Sequence, residues 1–385
     1  MAFSQEHPII IIGAGLAAYQ VAREFRKINS HTPLIMITAD DGRFYPKPQL
    51  STAKTQKKSL ETLVTATAET MSAQLNMEIR TLTRVTAIDA DAHLISTETE
   101  KFHYQKLILA CGADVIKPPL TGDAVNEVLS INHLYHFADF ERKIENKKHL
   151  TILGAGLIGC EFANDLSNAG YEVHVIAPDK FPLSLFVPEE VGNLLKKELE
   201  KNGVHFHLQC VANTVNKINE KYCLDLSNGK KLETEFILSA IGLRPHTALA
   251  VATNIKINRG ILVNRFLETS AADVYALGDC AEVEGHVLPF ITPMLNCARA
   301  LAKTLHGEQT AVEYPAMPVV VKTPAHPIVV CPPPKKISGE WEVSSDGNSM
   351  RAYFFDAEKK LFGFVLTNEA VKERAELLKK IPPLI

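Results

Sequence analysis

At 385 residues the chain exceeds what a single ordinary core supports, so two or three domains are expected. Apolar residues at 46% and charged residues at 22% give the balance of a globular protein in water. A net charge of −3 argues against a dedicated nucleic-acid binder, which carries a basic face.

Met1 to His7 is polar and acidic, and the apolar run Ile9 to Ile12 stops at Gly13, too short for a signal core or a membrane span. No later stretch reaches a span's length, so a cytoplasmic location is the expectation. Pro8 to Ile12 reads as a short buried strand. Gly13-Ala14-Gly15-Leu16-Ala17-Ala18 follows, then a helical pattern through Val21, Phe25 and Ile28, then a strand over Leu34 to Thr38. This order is a βαβ unit, whose crossover makes the strands parallel. From Thr86 to Leu109 the alternation suits antiparallel strands, with Val85 at their start. Leu107 to Gly112 reads as a strand closing the first unit, and Lys117-Pro118-Pro119 as a linker.

The βαβ pattern then recurs. His149 to Leu153 is a strand, Gly154-Ala155-Gly156-Leu157-Ile158-Gly159 the turn, Cys160 to Ala169 a helix capped by Gly170, and Glu172 to Ala177 the second strand. Phe236 to Gly242 closes this unit, and Val274 to Asp279 is one more buried strand ending in Gly278-Asp279. The tail from Pro315 holds proline clusters, above all Pro332-Pro333-Pro334, and reads as a small α+β domain.

The seven cysteines are scattered, and none forms the close pair that a zinc site or a dithiol needs. Reduced buried thiols are the reading for all of them. His205 and His207 share one face of a strand. No third ligand lies near them in sequence, and no metal site is expected.

Both glycine turns have the chemistry of a dinucleotide cradle. The first glycine permits the tight turn, the second lets backbone reach a pyrophosphate, and the third position must be small so that helix and strand pack closely. These positions are Gly13, Gly15 and Ala18, then Gly154, Gly156 and Gly159. The free N–H groups at each helix start attract phosphate. One such turn is a weak signal; two, each between a strand and a helix, make a chance match improbable. An acid normally ends the second strand and binds a ribose 2′-hydroxyl. Here Ala39 stands there, followed by Asp40 and Asp41, and in the second unit Ala177, with Asp179 two residues on. Asp40 is the candidate from a shifted position. An NADP site calls for arginines after Ala177, and only Lys180 is present, so NADH is favoured.

With the two turns, Ala110-Cys111-Gly112, Ala240 to Pro245 and Thr269 to Asp279 in order along the chain, the sequence resembles the pyridine-nucleotide-dependent flavoprotein reductases. That resemblance implies an α/β fold of the glutathione-reductase type: two Rossmann-like dinucleotide-binding domains plus the small α+β domain. The implied division is 1–115 and 242–314 for FAD, 116–241 for NADH and 315–385 for the tail. The disulfide branch carries two cysteines after its second strand, where this chain has Tyr45 to Ser51 instead. That stretch is similar to reductases serving small iron–sulfur or rubredoxin-type carriers. Ile37 to Gly42, Gly159 to Leu166 and Met317 to Pro324 resemble the reductases of rubredoxin most.

The implied activity is hydride transfer from NADH to FAD, then single electrons to rubredoxin, with flavorubredoxin or a ferredoxin as alternatives. The lone Trp341 lies outside the context usual for the ferredoxin reductases. A flavoprotein redox-switch binding module is a further alternative, but no long basic or disordered insert supports it. Carried over by position, Lys47 and Glu161 form a catalytic pair beside the flavin, and Lys322 lies near the ring. The cofactor contacts are Gly13, Ala14, Gly15, Leu16, Ala18, Ala39, Asp40, Val85, Gly112, Gly278 and Asp279, and in the second unit Gly154, Gly156, Gly159 and Glu161. Glu161 has a plainer reading too, as a helix first-turn acid favoured by the dipole. An acidic carrier would dock on Arg43, Lys47, Lys54, Lys57, Lys58 and Lys322, unless these are an ordinary solvated surface.

Overall fold

The computed structural model describes residues 7–385, so the reading of the chain start rests on Met1 to Glu6, outside the described residues. Two parallel sheets organise the chain. In the first, the strands Val274–Ala276, Lys106–Leu109, Ile9–Ile12, Leu34–Ile37 and Glu78–Arg80 lie side by side in that order. Ile9–Ile12 is buried throughout, as a central parallel strand covered on both faces must be. The helix Leu16–Arg26 buries Ala18, Tyr19, Ala22 and Phe25 on one face and packs beside the helix Ile291–Leu305.

The second sheet repeats the plan with Val204–Leu208, Glu172–Ala177, His149–Leu153 and Phe236–Ser239. Its helix, Leu157–Asn168, is buried over most of its length. A three-stranded antiparallel sheet accompanies each: Val85–Asp89, Leu94–Thr97 and Lys101–His103 for the first, and Ala212–Ile218, Lys221–Leu226 and Lys231–Thr234 for the second. The chain passes between the two units twice at one place, where Ala113–Val115 pairs antiparallel with Leu243–Pro245.

Three strands read from the sequence end three residues earlier than expected, at Leu109, Ser239 and Ala276. Each is followed within three residues by a glycine in the left-handed region: Gly112, Gly242 and Gly278. That backbone cannot continue a strand, and it turns the chain at the carboxyl end of its sheet. The tail forms a five-stranded antiparallel sheet running Val319–Val321, Ile328–Cys331, Leu361–Thr367, Ser349–Phe355, Glu340–Asp346. Its last residues return to the first unit, where Leu384 N–H donates to the Tyr314 carbonyl at 2.7 Å. The architecture is the expected one, two Rossmann-like units with a small α+β addition. Among the described residues, no helix is long and apolar enough to cross a membrane.

Candidate functional site

The carboxyl ends of both parallel sheets open onto one groove of about 2320 Å³, where open α/β sheets place their ligands. Single small-molecule pockets run to roughly 1000 Å³, so this groove has room for more than one occupant. Of the residues singled out in the sequence, Gly15, Leu16, Lys47, Gly112 and Asp279 line it from the first unit. Gly154, Gly156 and Glu161 line it from the second, and Lys322 from the tail. Gly13, Ala14, Ala18, Gly159 and Gly278 are not among the lining residues, and neither are Ala39, Asp40 and Val85.

The two turns are built alike. A side chain at Gly13 would strike the Ala110 carbonyl, and one at Gly154 would stand 2.6 Å from the Ala240 carbonyl. Both residues have φ above +100°, where only glycine is at ease. Nothing lies within 4 Å of where a Cβ would stand at Gly15 or Gly156, so that side of each turn is open. Both helices start from an extended glycine with no side-chain cap and no acid in the first turn. Their first amide N–H groups are left for an anion. A pyrophosphate fits each cradle, which makes two dinucleotide sites facing one groove.

Between the cradles lie the ionisable side chains. Glu161 is 5% exposed and falls in the second turn of its helix, so the plainer first-turn reading does not hold. Its carboxylate accepts from Ser51 Oγ at 2.6 Å, from the Lys322 backbone N–H at 3.1 Å and from Lys322 Nζ. The expected pairing of Glu161 with Lys47 is therefore replaced by pairing with Lys322, because the helix turns this face toward the loop after Val319–Val321. Two further polar side chains share that face at the i+3 and i+4 positions. Asn164 Oδ1 accepts from Ala325 N–H at 3.1 Å, and the Asp165 carboxylate accepts from Lys54 and Thr55 N–H at 3.0 and 2.7 Å. Their signal was available in the sequence as three polar residues, Glu161, Asn164 and Asp165, at helical spacing on one face.

Lys47 begins the short helix Lys47–Thr52 and donates to Asn132 Oδ1 at 3.2 Å. Burial lowers its pKa, against the pull of Asp279 and Asp40. Burial likewise raises Asp279, with Lys47 opposing. Asp40 is held in a turn of its own, its Oδ1 accepting from Thr38 Oγ1 and Gly42 N–H.

The basic group proposed for docking is largely engaged. Arg43 pairs with Asp41 and Lys54 with Glu141, Lys58 donates to Gln49, and Lys47 is drawn inward. His205 and His207 gain a neighbour that the sequence had not placed there. His174 stacks on both, with its Nδ1 3.0 Å from His207 Nε2. Among the described residues no group of three or more such side chains is arranged to hold a metal. The seven cysteines are free thiols, and burial pushes Cys280, Cys297 and Cys331 up to about 11.

Paired dinucleotide cradles at the ends of two parallel sheets, with charged groups held between them, define a two-dinucleotide oxidoreductase. The chain belongs to the pyridine nucleotide-disulphide oxidoreductase family, whose description matches residues 7–300, and residues 311–381 match the description "rubredoxin binding C-terminal domain". It is 47% identical over 380 residues to a rubredoxin-NAD(+) reductase of Alcanivorax borkumensis, covering 98% of this chain and 100% of that one. A nitric oxide reductase FlRd-NAD(+) reductase of Aliivibrio fischeri is 38% identical, with 97% and 98% covered. In fold the chain is similar to the solved covalent complex of putidaredoxin reductase with putidaredoxin. The TM-score is 0.89 at 20% identity, over 98% of this chain and 94% of that one.

Proposed function

We propose that this chain is an NADH:rubredoxin oxidoreductase that works without a redox-active disulfide. The observation that carries the reading is the pair of glycine cradles facing one groove, with no cysteine pair beside them and a rubredoxin-binding description over the tail. FAD, when bound, would accept one hydride, two electrons together, from NADH and release those electrons singly. The first unit, 1–115 with 242–314, holds FAD through Gly13, Gly15, Gly112 and Asp279. The second, 116–241, holds NADH through Gly154, Gly156 and Gly159, and 315–385 meets the carrier. Lys47 and Lys322 present cations to the flavin ring, and Glu161 fixes Lys322. Ala18 gives the first cradle its close helix packing, with Ala14, Leu16 and Gly278 in or beside the same turn; Ala39, Asp40 and Val85, outside the groove lining, are assigned to the adenosine. We place the enzyme in the cytoplasm, where reduced thiols persist.

The test is steady-state NADH oxidation with purified rubredoxin, ferredoxin and flavorubredoxin side by side. The highest kcat/KM is expected with rubredoxin, and a ferredoxin preference would overturn the reading. Flavorubredoxin is the second reading, favoured by the relative from Aliivibrio fischeri.

Two further outcomes are expected. After the strand Glu172–Ala177 come Pro178, Asp179 and Lys180, with no arginine to meet a 2′-phosphate, and the Asp179 carboxylate accepts from Ser184. NADH should exceed NADPH in kcat/KM by about tenfold or more, the equivalent of one lost charged contact; comparable values would contradict the nucleotide assignment. Cys331 lines the groove, yet its thiol stays protonated at neutral pH. Cys331→Ser should reduce the carrier at the wild-type rate, and lost turnover with normal FAD content would implicate a thiol.

A further inference from the structure

We propose that Asn132 is a positioning residue that holds the Lys47 ammonium in the groove with a neutral acceptor, leaving its positive charge available to the bound flavin. This rests on the reading in which Lys47 faces the ring. Asn132 lies in the groove lining, is 6% exposed, and precedes the helix Leu134–Ile144. Its Nδ2 donates to the Ala113 carbonyl at 2.8 Å, which fixes the amide's orientation and leaves Oδ1 for Lys47 Nζ at 3.2 Å. Its backbone N–H donates to His136 Nδ1 at 3.3 Å. Ala113 opens the strand Ala113–Val115, where the chain crosses between the two units. The amide is thus anchored to backbone at its nitrogen, and its oxygen is turned to the Lys47 ammonium.

The choice of an amide has an electrostatic consequence. A carboxylate here would hold the lysine as firmly, but its own charge would cancel the field of the ammonium, and at a buried position such as Asn132 solvent screens that charge less than at the surface. The other ionisable groups facing this lysine are Asp279 and Asp40, and the imidazoles of His133 and His136. Burial, and then Lys47 itself, keeps His133 toward its neutral form, and burial does the same for His136. Asn132 is the side chain that bonds Lys47 Nζ directly.

The test compares Asn132→Leu, which removes the acceptor, with Asn132→Asp, which adds a charge. Two quantities are read besides turnover. One is the titration of Lys47, followed by pH-dependent acylation and peptide mass spectrometry on protein with and without FAD. The other is the midpoint potential of the bound flavin. Losing the hydrogen bond to the charged form should lower the Lys47 pKa in Asn132→Leu, and the carboxylate should raise it in Asn132→Asp. The flavin potential should fall in both. Opposite movements of the titration with a common fall in potential are not expected of a residue that only supports packing. Single-turnover flavin reduction at saturating NADH should slow about tenfold in Asn132→Leu, the worth of one charge-assisted hydrogen bond.

If the leucine variant loses FAD, Asn132→Ser, too short to reach both partners, carries the same expectation. Unchanged Lys47 titration and flavin potential in these variants would overturn the proposal. Lys47→Met separates the two levels. If it leaves the potential unchanged, the placing of Lys47 at the ring fails, and this inference with it. If it lowers the potential while Asn132→Leu does not, the inference about Asn132 fails alone.

Discussion

Substituting valine for Gly159 is expected to cut kcat/KM for NADH by about 100-fold, the cost of moving a binding group by an ångström, while FAD stays bound. Gly159 sits where the helix Leu157–Asn168 crosses its strand. A Cβ there would overlap the Gly154 carbonyl and approach Ile152 Cγ2 at 3.7 Å. Neither the backbone carbonyl nor the central strand can yield, so the start of the helix must lift. The amide N–H groups that follow Gly156 move with it, away from where a phosphate would sit. Overpacking of this kind costs about 1–3 kcal/mol of stability, which a thermal melt reads separately from the kinetics. The first unit supplies the control, since Ala18 occupies the equivalent position and is fully buried there. Ala18→Gly should leave flavin content and NADH kinetics nearly unchanged. Steady-state kinetics, flavin absorbance and a thermal melt together check the expectation; a wild-type kcat/KM in Gly159→Val would show that the second turn does not hold the nucleotide.

The two βαβ units were legible because their requirements are local. A tight turn, an open approach to phosphate and a close helix crossing each need a small residue at a fixed offset, and a short apolar run on either side completes the pattern. Strand ends were less legible, since left-handed glycines at 112, 242 and 278 stop strands that apolarity alone would extend. The pairing of Ala113–Val115 with Leu243–Pro245 left no local trace, joining segments on either side of a whole unit. The same holds for the site. Lys47, Glu161 and Lys322 were singled out, but their partners depend on which face each element presents. Glu161 meets Lys322 and Ser51, and Lys47 meets Asn132, a residue with no motif around it. The lysines after the first βαβ unit were read as a docking group, whereas Lys54 is paired with Glu141 from another segment.

The helix Leu157–Asn168 ties the groove together. Its first turn forms one of the two glycine cradles, and one turn later Glu161, Asn164 and Asp165 fasten Lys322 and Ala325 from the tail and Ser51, Lys54 and Thr55 from the first unit. Each contact is a buried acceptor meeting a donor from another part of the chain, so losing one leaves a polar group without a partner. Lys47 lies on the same short helix as Ser51, which Pro46 and Pro48 restrain in φ.

Replacing that lysine with methionine is expected to slow single-turnover flavin reduction by about 100-fold, as when a preorganised donor to developing negative charge is removed, with FAD retained. Hydride transfer to a bound flavin would leave negative charge on the ring, and a preorganised cation beside it would stabilise that charge more than water does. Methionine keeps the apolar length of the side chain and removes only the charge. The pH dependence carries the same signature. Burial sets the Lys47 pKa below the ordinary lysine value, so the ammonium is lost at lower pH than for a surface lysine. The reduction rate should fall as pH rises through that depressed pKa. Unfolding does not explain such a fall. Between the depressed pKa and the ordinary one, the unfolded chain binds the proton that the folded protein has released, so this group makes stability rise with pH over that window. Lys47→Arg keeps its charge throughout the range and should flatten the alkaline fall. The measurement is a single-turnover bleach at saturating NADH across pH, which separates chemistry from binding. A wild-type rate in Lys47→Met, or an alkaline fall that persists in Lys47→Arg, would remove the lysine from the chemistry.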